Sequence, residues 1–363
     1  MPFKSRLGLH LAIQRWITIP NYCLCSNKYE KIILFLRCSP LIITNFFTFF
    51  DSYISFISLS INLFDDHSTL SLAVTFMGTL LVKLDVIVLT FFAICYNSSH
   101  LNFLKILEEF NDNFLQHFPP KFNSKFCKRV NIEPILVCLN TVSCYIIYSF
   151  LTTRSISSQY TAIMTQAISD ITFLYVLNFV RVFQNYLEVL SQHIEECSFQ
   201  KTLLIFELLQ KFLIILKHFN STFGFLITYI LFHHFVEGSL GMYFGTYKIY
   251  HSPDALDVLS FSVWFARDIF FIYTISSACG DLYEENKTFM RTIAEPKNTN
   301  ELSKQYRTIN FDLDQIILKN FHESPRISAM RIFYIDKTVF FMVFAAISSN
   351  LFVLLQFKKI EES

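Results

Sequence analysis

Glycine is scarce in this 363-residue sequence, seven against 43 phenylalanines, and charge is scarce too, with Asp, Glu, Lys and Arg making up 16%. The lack of glycine argues against a soluble α/β enzyme built on glycine-rich phosphate loops. No Gly-x-Ser-x-Gly, P-loop or dinucleotide fingerprint is present. Soluble proteins carry about 25% charged residues. A chain that is 53% hydrophobic and 17% aromatic with so little charge is an integral membrane protein. Its net charge of +1 gives no general attraction to nucleic acid, and no nucleic-acid partner is expected.

Nine cysteines is an odd number, and most fall where the topology below puts membrane or cytosol, so thiols are expected and no disulfide framework. Cys23 and Cys25 form a C-x-C pair without the second pair or spaced histidines that a zinc site needs. Near the start, Lys4, Arg6, His10, Gln14 and Arg15 interrupt the apolar residues and break any signal-peptide core. That segment is read as a short amphipathic helix on the membrane surface, within a cytosolic tail over 1–31.

Low-charge segments recur at 32–50, 68–96, 132–153, 159–187, 222–248, 256–283 and 338–357. The reading is an all-α polytopic protein, one membrane domain over 1–363 with seven transmembrane helices. The fourth and sixth segments exceed what a bilayer needs, which implies tilt or continuation into the cytosol. Lys and Arg set the orientation. They crowd the tail and the loop after the second span (Lys105, Lys121, Lys125, Lys128, Arg129), and the loop after the sixth, yet are missing between spans one and two. A cytosolic N-terminus and an extracellular C-terminus follow. Three Asn-x-Ser/Thr sequons, at Asn97, Asn220 and Asn286, then lie on the cytosolic side and should carry no glycan.

Two stretches, 188–221 and 284–332, are amphipathic instead of spanning. Leu203, Phe206, Leu209, Leu213 and Leu216 keep helical spacing in the first; Ile309, Leu313, Ile316, Ile317 and Phe321 do so in the second, before Pro325. They are read as cytosolic helical extensions, which either hold subunits together or pad a single subunit.

Ionisable residues inside the spans are costly in lipid and should face the bundle interior. They are Lys83, Asp85, Asp170, His233, His234, Glu237, Arg267 and Asp268. Buried ion pairs that fix helix rotation account for them, and so does a water-filled pocket open to the outside. His233 and Glu237 share a helical face, but adjacent histidines point about 100° apart, unlike a zinc protease motif. No metal and no cofactor is expected there. Tyr145, Tyr148, Gln166 and Trp264 lie on the outward halves of their spans as ligand-pocket candidates, although Tyr and Trp also serve as interfacial anchors.

The last apolar stretch carries no charge from Thr338 to Leu355, enough to span the bilayer. Ala345, Ser349, Phe352 and Gln356 recur at steps of four, three and four, placing small and polar groups on one stripe. Ser349-Asn350, five apolar residues and Gln356-Phe357 resemble the C-terminal signature of insect gustatory receptors, Thr-Tyr, five hydrophobics, Gln-Phe. Phe333-Tyr334-Ile335-Asp336-Lys337 resembles that family's approach to its last helix. Ser349 stands where Thr is usual, and Asn350 where Tyr is usual, removing a ring.

The resemblance implies a ligand-gated cation channel in the plasma membrane of chemosensory neurons, activated by a small-molecule tastant. It implies a homotetramer, or a heteromer with related receptors, with the seventh helices lining a central pore. Ala345, Ser349, Phe352, Gln356 and Phe357 would border that pore, the last two forming its constriction. Two other classes fit the same features: a gustatory-receptor-like protein without channel activity, and a transporter or membrane enzyme using His233, His234 and Glu237.

Overall fold

The computed structural model describes residues 97–118, 156–194, 199–251, 255–294 and 326–362, with isolated helical positions between 43 and 96 and at 139. The described elements are α1 (Asn97–His117), α2 (Ile156–Ile194), α3 (Phe199–His251), α4 (Ala255–Ala294), a hairpin of β1 (Ser328–Ala329) and β2 (Phe333–Tyr334), and α5 (Lys337–Glu362). The described residues form a helical bundle with one small antiparallel ribbon.

The helices are long because the sequence from 199 to 251 contains no proline to break it. At 53 residues, α3 extends about 80 Å, more than twice the roughly 30 Å hydrocarbon thickness. The amphipathic stretch ending at 221 and the apolar segment starting at 222 are therefore one unbroken rod. The 39 residues of α2 and 40 of α4 likewise exceed a single crossing. Three described segments are long and apolar enough to cross a membrane: Gln166–His193, Leu204–Thr246 and Lys337–Ile360.

From α2 to α5, helices successive in the chain alternate in direction. Asp170 meets Arg267 and Gln184 meets Ala278, so α2 and α4 run parallel. His234 meets Asp268 while Phe244 stacks on Phe261, so α3 runs against α4. Gly238 faces Ile347 and Tyr243 packs with Leu351, so α5 runs with α3. Gly241 and Gly245 face Phe265 and Phe261, and this glycine pair lets α3 approach α4 closely.

The core at the α1 end is aromatic. One face of α1 buries His100, Phe103, Leu104, Leu107, Phe110, Asn111 and Phe114 at helical spacing. Phe103 meets Phe179, Phe219 and Phe223 at centroid distances of 5.1, 5.7 and 5.5 Å. These edge-on and tilted pairings exploit the ring quadrupole. Two polar contacts lie inside this cluster. Tyr186 donates to Asn111 Oδ1 at 3.0 Å, and His100 Nε2 lies 2.8 Å from the Tyr175 hydroxyl. Burial drives the His100 pKa down to about 3, keeping its ring neutral.

The hairpin was not read from the sequence, because two-residue strands have no periodicity to detect. Met330 and Arg331 adopt φ of 52° and 62°, and Ile332 donates to the Ala329 carbonyl at 2.9 Å, giving a type I′ turn. Asn220 of α3 holds this unit with both ends of its amide, donating to the Arg326 carbonyl at 2.8 Å and accepting from the Ser328 N–H at 3.2 Å. Arg326 lies over the Tyr283 ring at 4.1 Å and donates to its hydroxyl at 2.7 Å. Asp336 caps α5 by accepting from the Thr338 N–H at 2.8 Å, and Lys337 pairs with Asp281 at 2.7 Å.

Candidate functional site

Seven of the eight ionisable residues that the sequence scatters over four segments form one buried layer. Among the eight, Lys83 lies outside the described residues. The other seven are all buried: Asp85, Asp170, His233, His234, Glu237, Arg267 and Asp268. Helical spacing explains the convergence, since Gln166 and Asp170 on α2 are four apart and Tyr229, His233 and Glu237 on α3 repeat at steps of four.

Arg267 is the hub. It pairs with Asp170, lies 3.3 Å from Asp268 and 3.7 Å from Glu237, and stands 5.1 Å from the Phe271 ring centroid. The Gln166 amide oxygen, assigned by the donors it faces, accepts from Arg267 Nη1 at 3.0 Å. His233 sits between two acids, Nδ1 3.2 Å from Asp85 and Nε2 3.1 Å from Glu237. His234 Nδ1 donates to Asp268 at 2.9 Å, with its ring stacked on Phe271 at 4.9 Å. Isolated charges buried this way cost several kcal/mol each, so mutual pairing is what makes the layer tolerable.

Of the pocket candidates, Gln166 belongs to this ion layer, and Trp264 is half-buried one turn beyond Arg267 on α4. Tyr145 and Tyr148 lie outside the described residues. Sequence reasoning missed Ser169 and Tyr229, whose hydroxyls flank Asp85. The four-residue spacing of Tyr229 from His233 was the available signal.

The closing helix is built differently. Only 11% of its apolar window is buried inside the chain, against 89% for Gln166–His193. Ile347, Leu351 and Lys358 form its packed face. Ala345, Ser349, Phe352 and Gln356 lie on the opposite side, all exposed, with Phe357 at their end. A stripe containing a hydroxyl and an amide is a poor surface to offer lipid.

A helix bundle with a charged, buried layer and a polar-striped, largely exposed last helix, three of its described segments long and apolar enough to cross a membrane, is of the polytopic membrane-protein class. The sequence matches the family described as 7tm Chemosensory receptor over residues 9–361, and the chain belongs to that family. This is a family of insect chemoreceptors, not of enzymes. It is similar to gustatory and pheromone receptor 39a, isoform B, of Drosophila melanogaster, at 24% identity over 144 residues. That match covers 39% of this chain and 36%, about a third, of the Drosophila protein. The fold resembles the olfactory receptor OR5 of the insect Machilis hrabei, with TM-score 0.68, 12% identity and 97% of each chain covered. The structure of OR5 in complex with eugenol gives TM-score 0.55 at 10% identity, again with 97% of each chain covered.

Proposed function

We propose that this chemosensory receptor is of the gustatory type: a ligand-gated cation channel in the plasma membrane of chemosensory neurons, opened by a small-molecule tastant. The observation that carries this reading is the exposed Ala345, Ser349, Phe352 and Gln356 stripe, turned away from the packed Ile347 and Leu351 face. Four copies of α5 around an axis bury that stripe against water instead of lipid. Phe357 and Gln356 form the constriction, the rings excluding water and ions when they close and the amides replacing part of an ion's hydration when they part. The seven spans, cytosolic N-terminus and extracellular C-terminus belong to the same proposal, as does assembly as a homotetramer or with related receptors. A ligand opens the channel by binding the open arrangement more tightly. Its site is proposed on the outward side of the ion layer, around Trp264 with Tyr145 and Tyr148, with Gln166 at the floor.

The test is whole-cell recording from cells expressing only this chain, challenged with a panel of small organic ligands. Ligand-evoked cation currents whose conductance or ion preference changes in Gln356→Ala and Phe357→Ala support the reading. A receptor that reaches the surface and binds ligand without current favours a receptor-like protein lacking a channel, for which Asn350 in place of the family's Tyr is the specific observation.

A further inference from the structure

The ion layer contains an arrangement that the linear sequence conceals. One ligand atom from each of His233, His234 and Glu237 lies within 4.8 Å of the other two, and all three side chains are buried. Each imidazole has its Nδ1 against a carboxylate from a different part of the chain, Asp85 at 3.2 Å for His233 and Asp268 at 2.9 Å for His234. That is how metal-bound histidines are commonly oriented, with the δ nitrogen anchored to an acid and the ε nitrogen left for the metal.

Two further observations bear on a ligand. His233 Nε2 faces Glu237 Oε2 at 3.1 Å, yet neither ring nitrogen of His233 and neither oxygen of Glu237 or Asp85 makes a well-formed hydrogen bond. Donor atoms at about 2.0–2.2 Å from a tetrahedral ion stand a little over 3 Å apart, so this separation suits two ligands of one metal. The layer is also rich in acidic groups. Among the described residues the layer sets four carboxylates, Asp85, Asp170, Glu237 and Asp268, against one guanidinium, Arg267. Arg267 is engaged at shorter range by Asp170, Asp268 and Gln166 and reaches Glu237 at 3.7 Å, so among the described residues His233 is the group set between Asp85 and Glu237.

We propose that His233, His234 and Glu237 bind a divalent transition-metal ion inside the helical bundle, with Asp85 and Asp268 as positioning residues for the two rings. Two imidazoles and a carboxylate form a borderline donor set that selects zinc-class ions over calcium or magnesium, which prefer all-oxygen shells. Three protein ligands leave a fourth position for water or a ligand group. Adjacent histidines argue against such a site on an isolated helix. Asp268 from α4 and the separately contributed Asp85 turn the rings so that they share it with Glu237. The competing arrangement is a doubly protonated His233 bridging Asp85 and Glu237 without metal.

The experiment uses the full chain in lipid nanodiscs, stripped with a chelator and titrated with Co²⁺ alone, then with Zn²⁺ as competitor. Expected are stoichiometric binding, the visible ligand-field bands of a low-coordinate cobalt site, and their loss on zinc addition. His233→Ala and Glu237→Gln abolish the bands, and Asp85→Asn weakens binding about 10- to 100-fold. X-ray absorption of the zinc-loaded wild type, showing two imidazoles per ion, serves where a variant fails to fold. Absence of stoichiometric cobalt binding to the wild type overturns the proposal. So does binding that survives in folded His233→Ala and Glu237→Gln. The outcome is independent of whether the protein conducts ions.

Discussion

On α3, Gly224 lies so near Met330 that a Cβ added to the glycine would stand 3.1 Å from the Met330 backbone nitrogen and 3.2 Å from the Ser328 carbonyl oxygen. The hairpin rests directly on helix backbone at this point, and its second strand ends two residues before the Asp336 cap that starts α5 on its course. Neither backbone atom is the movable end of a side chain, so the hairpin must shift to admit a methyl group. Gly224→Ala is therefore expected to destabilise the protein by about 1–3 kcal/mol, as overpacking does. Thermal unfolding of the detergent-solubilised protein measures this, and an unchanged midpoint would show that the hairpin is not seated there.

Asn220 contributes to the same seat through two hydrogen bonds. Asn220→Ala leaves a carbonyl and an N–H without these partners, at about 1–3 kcal/mol. Conversely, Met330→Asn with Arg331→Gly supplies the residues a type I′ turn favours and should raise the melting temperature, because both native residues hold positive φ.

Acid should weaken the α1 end through His100. Its folded pKa is about 3 against an ordinary value near 6.5, so the unfolded chain binds the proton more readily. The stability from keeping this ring neutral is complete above pH 6.5 and is lost as pH falls toward 3. At pH 5 the loss is about 2 kcal/mol, from roughly 1.4 kcal/mol per pH unit below 6.5. His100→Phe should remove that part of the pH dependence, measured as the difference in melting temperature between pH 7.5 and 5 for variant and wild type.

Removing Arg267 strands the carboxylates it serves. Arg267→Ala is expected to cost about 3–5 kcal/mol and to reduce the yield of monodisperse protein sharply. Replacing Arg267 and Asp170 together, by Met and Leu, should recover part of the loss. Size-exclusion profiles and thermal midpoints of the single and double variants provide the check, and full additivity would mean that the pair is not coupled.

Two of the three sequons are poor reporters of orientation. The Asn220 amide is occupied at both ends and Asn286 is buried, which leaves half-buried Asn97 as the sequon that a glycosidase shift would report on. With Asn97 on the cytosolic side no glycosidase shift is expected, and an epitope after Ser363 is the second, independent probe. Antibody access on intact cells is the expected result.

Much of the ion layer was legible from cost alone, since a charge inside an apolar run must find company. Asp170, His233, His234, Glu237, Arg267 and Asp268 could be named before their contacts were known. Their pairing could not, because it depends on which helices neighbour which, and periodicity within one helix carries no record of that. That Gln166 contacts Arg267 could not be read for the same reason. The continuity of α3 was obscured because its polar pattern ends at 221 while its backbone does not, hydropathy reporting environment and not helix ends. The hairpin was hidden by Met330 and Arg331, which occupy a turn that glycine or asparagine usually marks.

The most direct measurement of the α5 account is disulfide trapping of the assembled protein in its membrane. Single cysteines at Ser349, Gln356 and Leu351 are each oxidised mildly and compared with the unsubstituted chain on non-reducing gels. If the exposed stripes of four subunits converge on one axis, Ser349→Cys and Gln356→Cys yield covalent dimers while Leu351→Cys does not. Dimers at Leu351, or none at Ser349 and Gln356, would contradict the claim that this helix borders an ion path.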